Sequence, residues 1–199
     1  MIIYLDETFG DVLVGYEESD INNAQYQSFL KNMHSIAKEL NQHGIDSVDF
    51  VNPANIGYKN GNLATFDLGF GDGFNQPPKL PIIDASEGKY LDVIKNKLNL
   101  SKFVKVGEGT FGVAYDIGDD AILKITKDNS EVYNSLRIKG KEMKYVADIY
   151  EVYELFLGKD SRKYWIIILE KLKTNDKIKS NYELFKKAYD KAKKRKKSK

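Results

Sequence analysis

Between Gln25 and His43 the apolar residues fall at Tyr26, Phe29, Leu30, Met33, Ile36, Ala37 and Leu40. This i, i+3, i+4, i+7 spacing gathers side chains on one helical face and predicts an amphipathic helix. Gly44 follows, a residue suited to the left-handed position just past a helix end. Downstream the pattern shortens. Tyr58 to Phe66 reads as a hairpin centred on Asn60-Gly61, because a two-residue type I′ turn needs positive φ at both positions. Phe111 to Ile117 and Ala121 to Ile125 read as strands joined at Gly118-Asp119-Asp120. A further helix is expected from Tyr182. Near the start, Ile2 to Leu5 and Asp11 to Tyr16 could pair as strands around Phe9-Gly10. The expected class is α+β.

Pro77, Pro78 and Pro81 favour an extended, semi-rigid connection over Gly71 to Glu87. With 199 residues, 42% hydrophobic and 30% charged, the chain can bury a real core as one two-lobed unit or two small domains.

There are no cysteines, which excludes disulfides, thiolate zinc sites and thiol catalysis, so any metal is expected on oxygen ligands. No apolar run approaches a membrane span, and Met1 to Asp6 lacks the basic region and long apolar core of a secretion signal. The expectation is a cytoplasmic protein without a membrane partner. The formal charge of +2 hides an uneven distribution, with Lys186, Lys187, Lys191, Lys193, Lys194, Arg195, Lys196, Lys197 and Lys199 crowding the last stretch. Such a tail either solubilises the chain or docks it on an acidic partner or nucleic acid. His34 and His43 read as helix-surface or cap residues.

The chemistry concentrates in Val106-Gly107-Glu108-Gly109-Thr110-Phe111-Gly112, followed by Lys124 in Ala121-Ile122-Leu123-Lys124. Glycines on either side of one residue let backbone approach phosphate oxygens, and an ammonium on the next strand neutralises them. A dinucleotide fold needs a helix directly after the glycines, whereas a strand is expected here. A Walker A loop needs a closing Gly-Lys-Ser or Gly-Lys-Thr, which is absent.

These residues resemble the small lobe of a protein kinase, which implies a helix over Gly88 to Leu98 before the loop, a helix from Ser130 after the lysine, and two more strands over Ala147 to Leu155 and Tyr164 to Leu169. The resemblance makes Glu131 the partner that holds Lys124 against the phosphates, and puts Glu170-Lys171-Leu172 where adenine meets backbone groups of a hinge. Gly107, Gly109, Phe111 and Gly112 become the phosphate loop. In the same family the catalytic loop and the magnesium-binding acid follow the hinge, yet here the similar segment comes first. Asn55 and Asp67 flank the expected hairpin, where an amide oxygen and a carboxylate could bridge Mg2+ to phosphate. The helix before them is similar to the one that leads into a kinase catalytic loop.

Taken together, the resemblance implies a protein kinase-like two-lobed fold, reduced and circularly permuted, of the small phage type. Residues 1–76 stand for the large lobe, 77–87 for a bridge, 88–173 for the small lobe, and 174–199 for a helix with a basic tail. It implies ATP and Mg2+ as cofactors, an unidentified protein as substrate, and γ-phosphoryl transfer to a Ser or Thr hydroxyl, in the host cytoplasm if a phage encodes it. The family's catalytic base stands five residues before the metal-binding Asn. That position is Phe50 here, and Asp49 is the nearest acid, able to serve if the loop holds one extra residue. The activation segment and peptide-substrate platform of larger kinases are not recognisable. Two alternatives remain open: a non-catalytic pseudokinase or virion-associated protein acting through its tail, and a homodimer in which each lobe pairs with the complementary lobe of a neighbour.

Overall fold

The computed structural model describes residues 24–45, 55–69, 77–158 and 163–174, with Ile178 and Glu183. The strands expected before residue 20, Asp49 with Phe50, and the lysine-rich tail lie outside the described residues. The chain forms two compact units, one of Met1–Asp67, Lys144–Val146 and Leu172–Lys199, the other of Leu68–Met143 and Ala147–Lys171.

In the first unit α1 spans Ala24–Gln42. Phe29, Met33, Ile36, Ala37 and Leu40 are buried, as the spacing requires. Each large apolar side chain so buried contributes roughly 1.5–3 kcal/mol. Gly44 takes φ +67°, and Ile45 N–H donates to Leu40 O at 3.0 Å, closing the helix. The hairpin is β1 (Ile56–Lys59) and β2 (Asn62–Thr65), antiparallel with Ile56 opposite Thr65. Asn60 at φ +49° and Gly61 at +79° form the turn the Asn-Gly pair predicts.

Two short pieces from elsewhere in the chain complete this unit. Lys144 and Tyr145 donate their N–H groups to the Glu39 carboxylate at 2.8 and 2.7 Å. Thr65 N–H donates to Tyr145 O at 3.0 Å, and the buried Lys59 Nζ donates to Val146 O at 3.2 Å. On the hairpin's other side Tyr58 and Lys173 exchange backbone hydrogen bonds of 2.7 and 3.2 Å. Gly57 is required there, since a Cβ would collide with Leu172 Cβ.

The second unit is built on a six-stranded sheet. Its strands are β3 (Ile82–Asp84), β4 (Val104–Glu108), β5 (Gly112–Gly118), β6 (Ala121–Thr126), β7 (Ile149–Phe156) and β8 (Tyr164–Glu170). The spatial order is β3-β7-β8-β6-β5-β4, antiparallel except where β3 runs parallel to β7. The stretch expected as a simple bridge therefore carries a strand: Ile82–Asp84 pairs with Glu154–Phe156. Three residues directly after Pro81 are too short for any periodicity to betray them.

Helix α2 (Tyr90–Lys97) packs its buried Ile94 into a core with Ile83, Ala85, Tyr115, Ile117, Leu123, Ile125, Leu155 and Ile166. Alternation along β6 sends Leu123 and Ile125 into that core and Lys124 and Thr126 to the opposite face. Helix α3 (Asn129–Ile138) makes contacts with β7 and β8. This mixed α+β architecture agrees with the expected class. Among the described residues no helix is long and apolar enough to cross a membrane.

Candidate functional site

Of the three glycines, Gly107 lies near the end of β4, Gly109 in the loop that follows, and Gly112 opens β5. Gly109 N–H donates to Gly112 O at 2.9 Å, which fastens the turn. The three glycines answer to different constraints. A Cβ at Gly112 would collide with the Ile125 carbonyl oxygen and crowd Thr126 Cα, so strand packing demands glycine there. At Gly107 and Gly109 a Cβ would meet nothing within 4 Å, and neither has positive φ. Gly107 stands at the register shift between β4 and β5, a place where strands often carry glycine, and at neither position does packing forbid a side chain.

Between them Glu108 pairs with Lys105 at 2.5 Å, and that ammonium lowers the carboxyl below its ordinary range. Phe111 is 47% exposed, with Lys127 Nζ 6.0 Å from its ring centroid. On the next strand Lys124 stands opposite Ala114 of β5 and Ile167 of β8. Ala114 is small and half-buried, which keeps the strip beside the lysine open.

Lys124 Nζ lies 2.5 Å from Glu131 Oε1, with the two side chains 17% and 3% exposed. The pairing expected from the sequence is thus present. Glu131 owes its direction to Asp128, the N-cap of α3. The Asp128 carboxylate accepts from Ser130 N–H at 2.9 Å, Ser130 Oγ at 2.6 Å and Glu131 N–H at 3.4 Å. Asp128 N–H donates to Thr126 Oγ1 at 3.1 Å, and Thr126 Oγ1 donates to Phe111 O at 3.4 Å. The sequence reading passed over Thr126 and Asp128, although acid-x-x-Glu before an apolar run is a helix-start signature.

Farther along α3, the buried Asn134 donates from Nδ2 to Leu68 O at 2.9 Å, fixing the peptide that follows Asp67. No local pattern announces that bond, because it joins residues sixty-six apart.

The expected hinge begins at the end of β8. Glu170 N–H donates to Asp148 O at 2.9 Å and Lys171 N–H to Asp120 O at 2.7 Å. Lys173 N–H is used by Tyr58 O. Among the described residues the N–H of Leu172 has no hydrogen-bond partner, which leaves a backbone donor where the resemblance expects adenine. The Lys171 side chain reaches Asp116 Oδ2 at 2.7 Å, and Lys102 reaches the same oxygen at 2.9 Å. These two ammonium groups, with Gly118 N–H, hold the Asp116 carboxyl far below the usual carboxylate range.

In the first unit Asn55 is buried just before β1, and Asp67 follows β2 by two residues. Asn55 O accepts from Thr65 Oγ1 at 3.1 Å and Phe66 N–H at 3.2 Å, so both residues stand at one end of the hairpin, as expected. Among the described residues no three His, Asp or Glu side chains gather into a metal-holding group. A cation on Asn55 and Asp67 would take most of its oxygens from phosphate and water, a donor set that suits magnesium.

Compared with family models, with curated proteins and with solved structures, the chain matches none of them.

Proposed function

We propose that the chain is an ATP-dependent phosphotransferase with a protein kinase-like fold, reduced and with the order of its lobes exchanged. One observation carries the reading. A loop at whose first two glycines a Cβ would meet nothing precedes a strand lysine held by a buried glutamate on the following helix. Phosphate binding explains both features at once, since close backbone approach and a directed ammonium serve the same anion.

In this reading the backbone at Gly107 and Gly109 approaches the phosphates, Phe111 covers them, and Lys124 neutralises their charge with Glu131 fixing its direction. The Leu172 N–H and the Glu170 carbonyl meet the adenine. Asn55 and Asp67 hold Mg2+, which supplies charge neutralisation at the transferring group. Asp49 accepts the proton of a Ser or Thr hydroxyl as its oxygen bonds to the γ-phosphorus, and ADP leaves. Catalysis is mostly positioning and electrostatic stabilisation.

A second reading, nucleotide binding without transfer, is favoured by Phe50 at the position where the family's base is expected. Partner docking through the lysine-rich tail belongs with that reading.

The test is the thermal unfolding midpoint with and without saturating Mg-ATP, run beside Lys124→Met and Asp67→Asn. Ligand at a hundred times its dissociation constant adds about 2.7 kcal/mol, or roughly 5 to 10 °C for a chain of this size. A magnesium-dependent rise lost in both variants supports a part for each residue in nucleotide binding. No rise in the wild type overturns the reading. A rise without phosphate transfer to protein leaves the second reading in possession.

A further inference from the structure

The Thr126 hydroxyl occupies an unusual junction. It is fully buried, donates to the carbonyl of Phe111 in the glycine loop, and accepts the N–H of Asp128, the residue that caps α3 and so directs Glu131. An N-cap needs only its acid and the helix amides. A glycine loop needs only its own turn. Here the Thr126 oxygen joins the two, at 3.4 Å on one side and 3.1 Å on the other, beside the Lys127 N–H that donates to the same Phe111 carbonyl at 2.9 Å. Thr126 shares a face of β6 with Lys124 and lies in register with Gly112, whose close approach to Ile125 leaves this part of the loop no room to slide.

We propose that Thr126 is a positioning residue for the phosphate site: its hydroxyl ties the glycine loop to the Asp128 cap, so that loop and Lys124–Glu131 pair keep one spacing. This rests on the nucleotide reading above and extends it to a residue outside the loop, lysine and glutamate. Two polar bonds through one buried oxygen are cooperative, since an oxygen that accepts a proton donor becomes a better donor itself. The hydroxyl thereby couples the loop to the start of the helix.

Thr126→Val keeps the β-branched shape and removes the hydroxyl, while Thr126→Ser keeps the hydroxyl and removes a methyl. Amide hydrogen exchange on the nucleotide-free proteins tests the tie itself. Valine is expected to speed exchange about tenfold at both Gly109 and Glu131, and serine to hold both near wild type. Acceleration at only one of the two, or equal acceleration by serine, overturns the proposal. Calorimetric titration with Mg-ATP then reads the consequence, a dissociation constant raised about tenfold by valine and little changed by serine. Wild type and valine variant binding ATP equally well overturns the positioning role. A wild type that binds no ATP, with the exchange coupling intact, locates the failure in the nucleotide reading and leaves the tie as a structural one.

Discussion

Lys124 and Glu131 are seven residues apart in sequence and 2.5 Å apart in space, one on a central strand and the other in the first turn of the following helix. Their pairing sets a stability cost for any change at either end. A buried carboxylate deprived of its cation costs about 3–5 kcal/mol, whereas neutralising both partners costs far less.

Lys124→Met alone is therefore expected to lower stability by about 3 kcal/mol, and addition of Glu131→Gln to recover at least half of that loss. Urea unfolding of the two single variants and the double variant closes the cycle. Neither variant carrying Met at this position is expected to show a midpoint rise with Mg-ATP.

The glycines separate by the same logic. Gly107→Ala and Gly109→Ala are expected to leave stability unchanged or raise it by about 0.4–1 kcal/mol, because alanine narrows the unfolded ensemble and meets no obstacle. Gly112→Ala is expected to cost about 1–3 kcal/mol, since its Cβ meets backbone that cannot step aside. Nucleotide affinity should fall in the first two variants despite their sound folding, which thermal unfolding and calorimetric titration on the same samples would resolve.

Asp116 gives a pH dependence with a definite sign. Its folded pKa is held down by Lys171 first, then Lys102, then Gly118 N–H. A depressed carboxyl stabilises the fold fully above its unfolded value near 3.9, and the contribution drains away as pH falls through the folded value. Urea midpoints measured from pH 7 down to pH 2 should drop through the acid range in the wild type. Asp116→Asn should start lower at pH 7 and fall less steeply below pH 4.

Asn134→Ala is expected to cost about 1–3 kcal/mol, because the Leu68 carbonyl is left without its side-chain donor in a buried setting. Asn134→Asp should be worse at neutral pH, since a carboxylate facing a carbonyl has no proton to offer. Chemical denaturation of both variants at pH 7 checks the order.

Much of the architecture was legible because it follows from local chemistry. The face of α1, the Asn60-Gly61 turn and the strands around Lys124 each reflect periodicity or a turn preference that neighbouring residues state directly. The features that escaped notice are of another kind. β3 is three residues long and exists only because β7 offers it a partner. The Glu39 carboxylate serves amides more than a hundred residues away. Asp116 draws one lysine from before its own hairpin and another from the end of β8. Within the candidate site, loop and lysine could be listed from the sequence pattern and the glutamate from the resemblance, whereas Thr126 acquires its role only once β6 brings its hydroxyl beneath Phe111 O. Asp49 and the tail remain where the sequence left them, outside the described residues.

The hairpin β1–β2 is synthesised early and receives its last partners late. Its outer bonds are to Tyr145 on one side and Lys173 on the other, residues that leave the ribosome about a hundred positions after β2. At roughly 5 to 20 residues per second, the nascent chain carries an incompletely paired strand edge for about 5 to 20 s. Such an edge invites pairing with a neighbouring copy on the same messenger. Lys59, which ends β1 with its ammonium on Val146 O in the finished fold, holds a charge at that edge during the wait. One side chain thus discourages wrong partners during synthesis and fastens the right one afterwards.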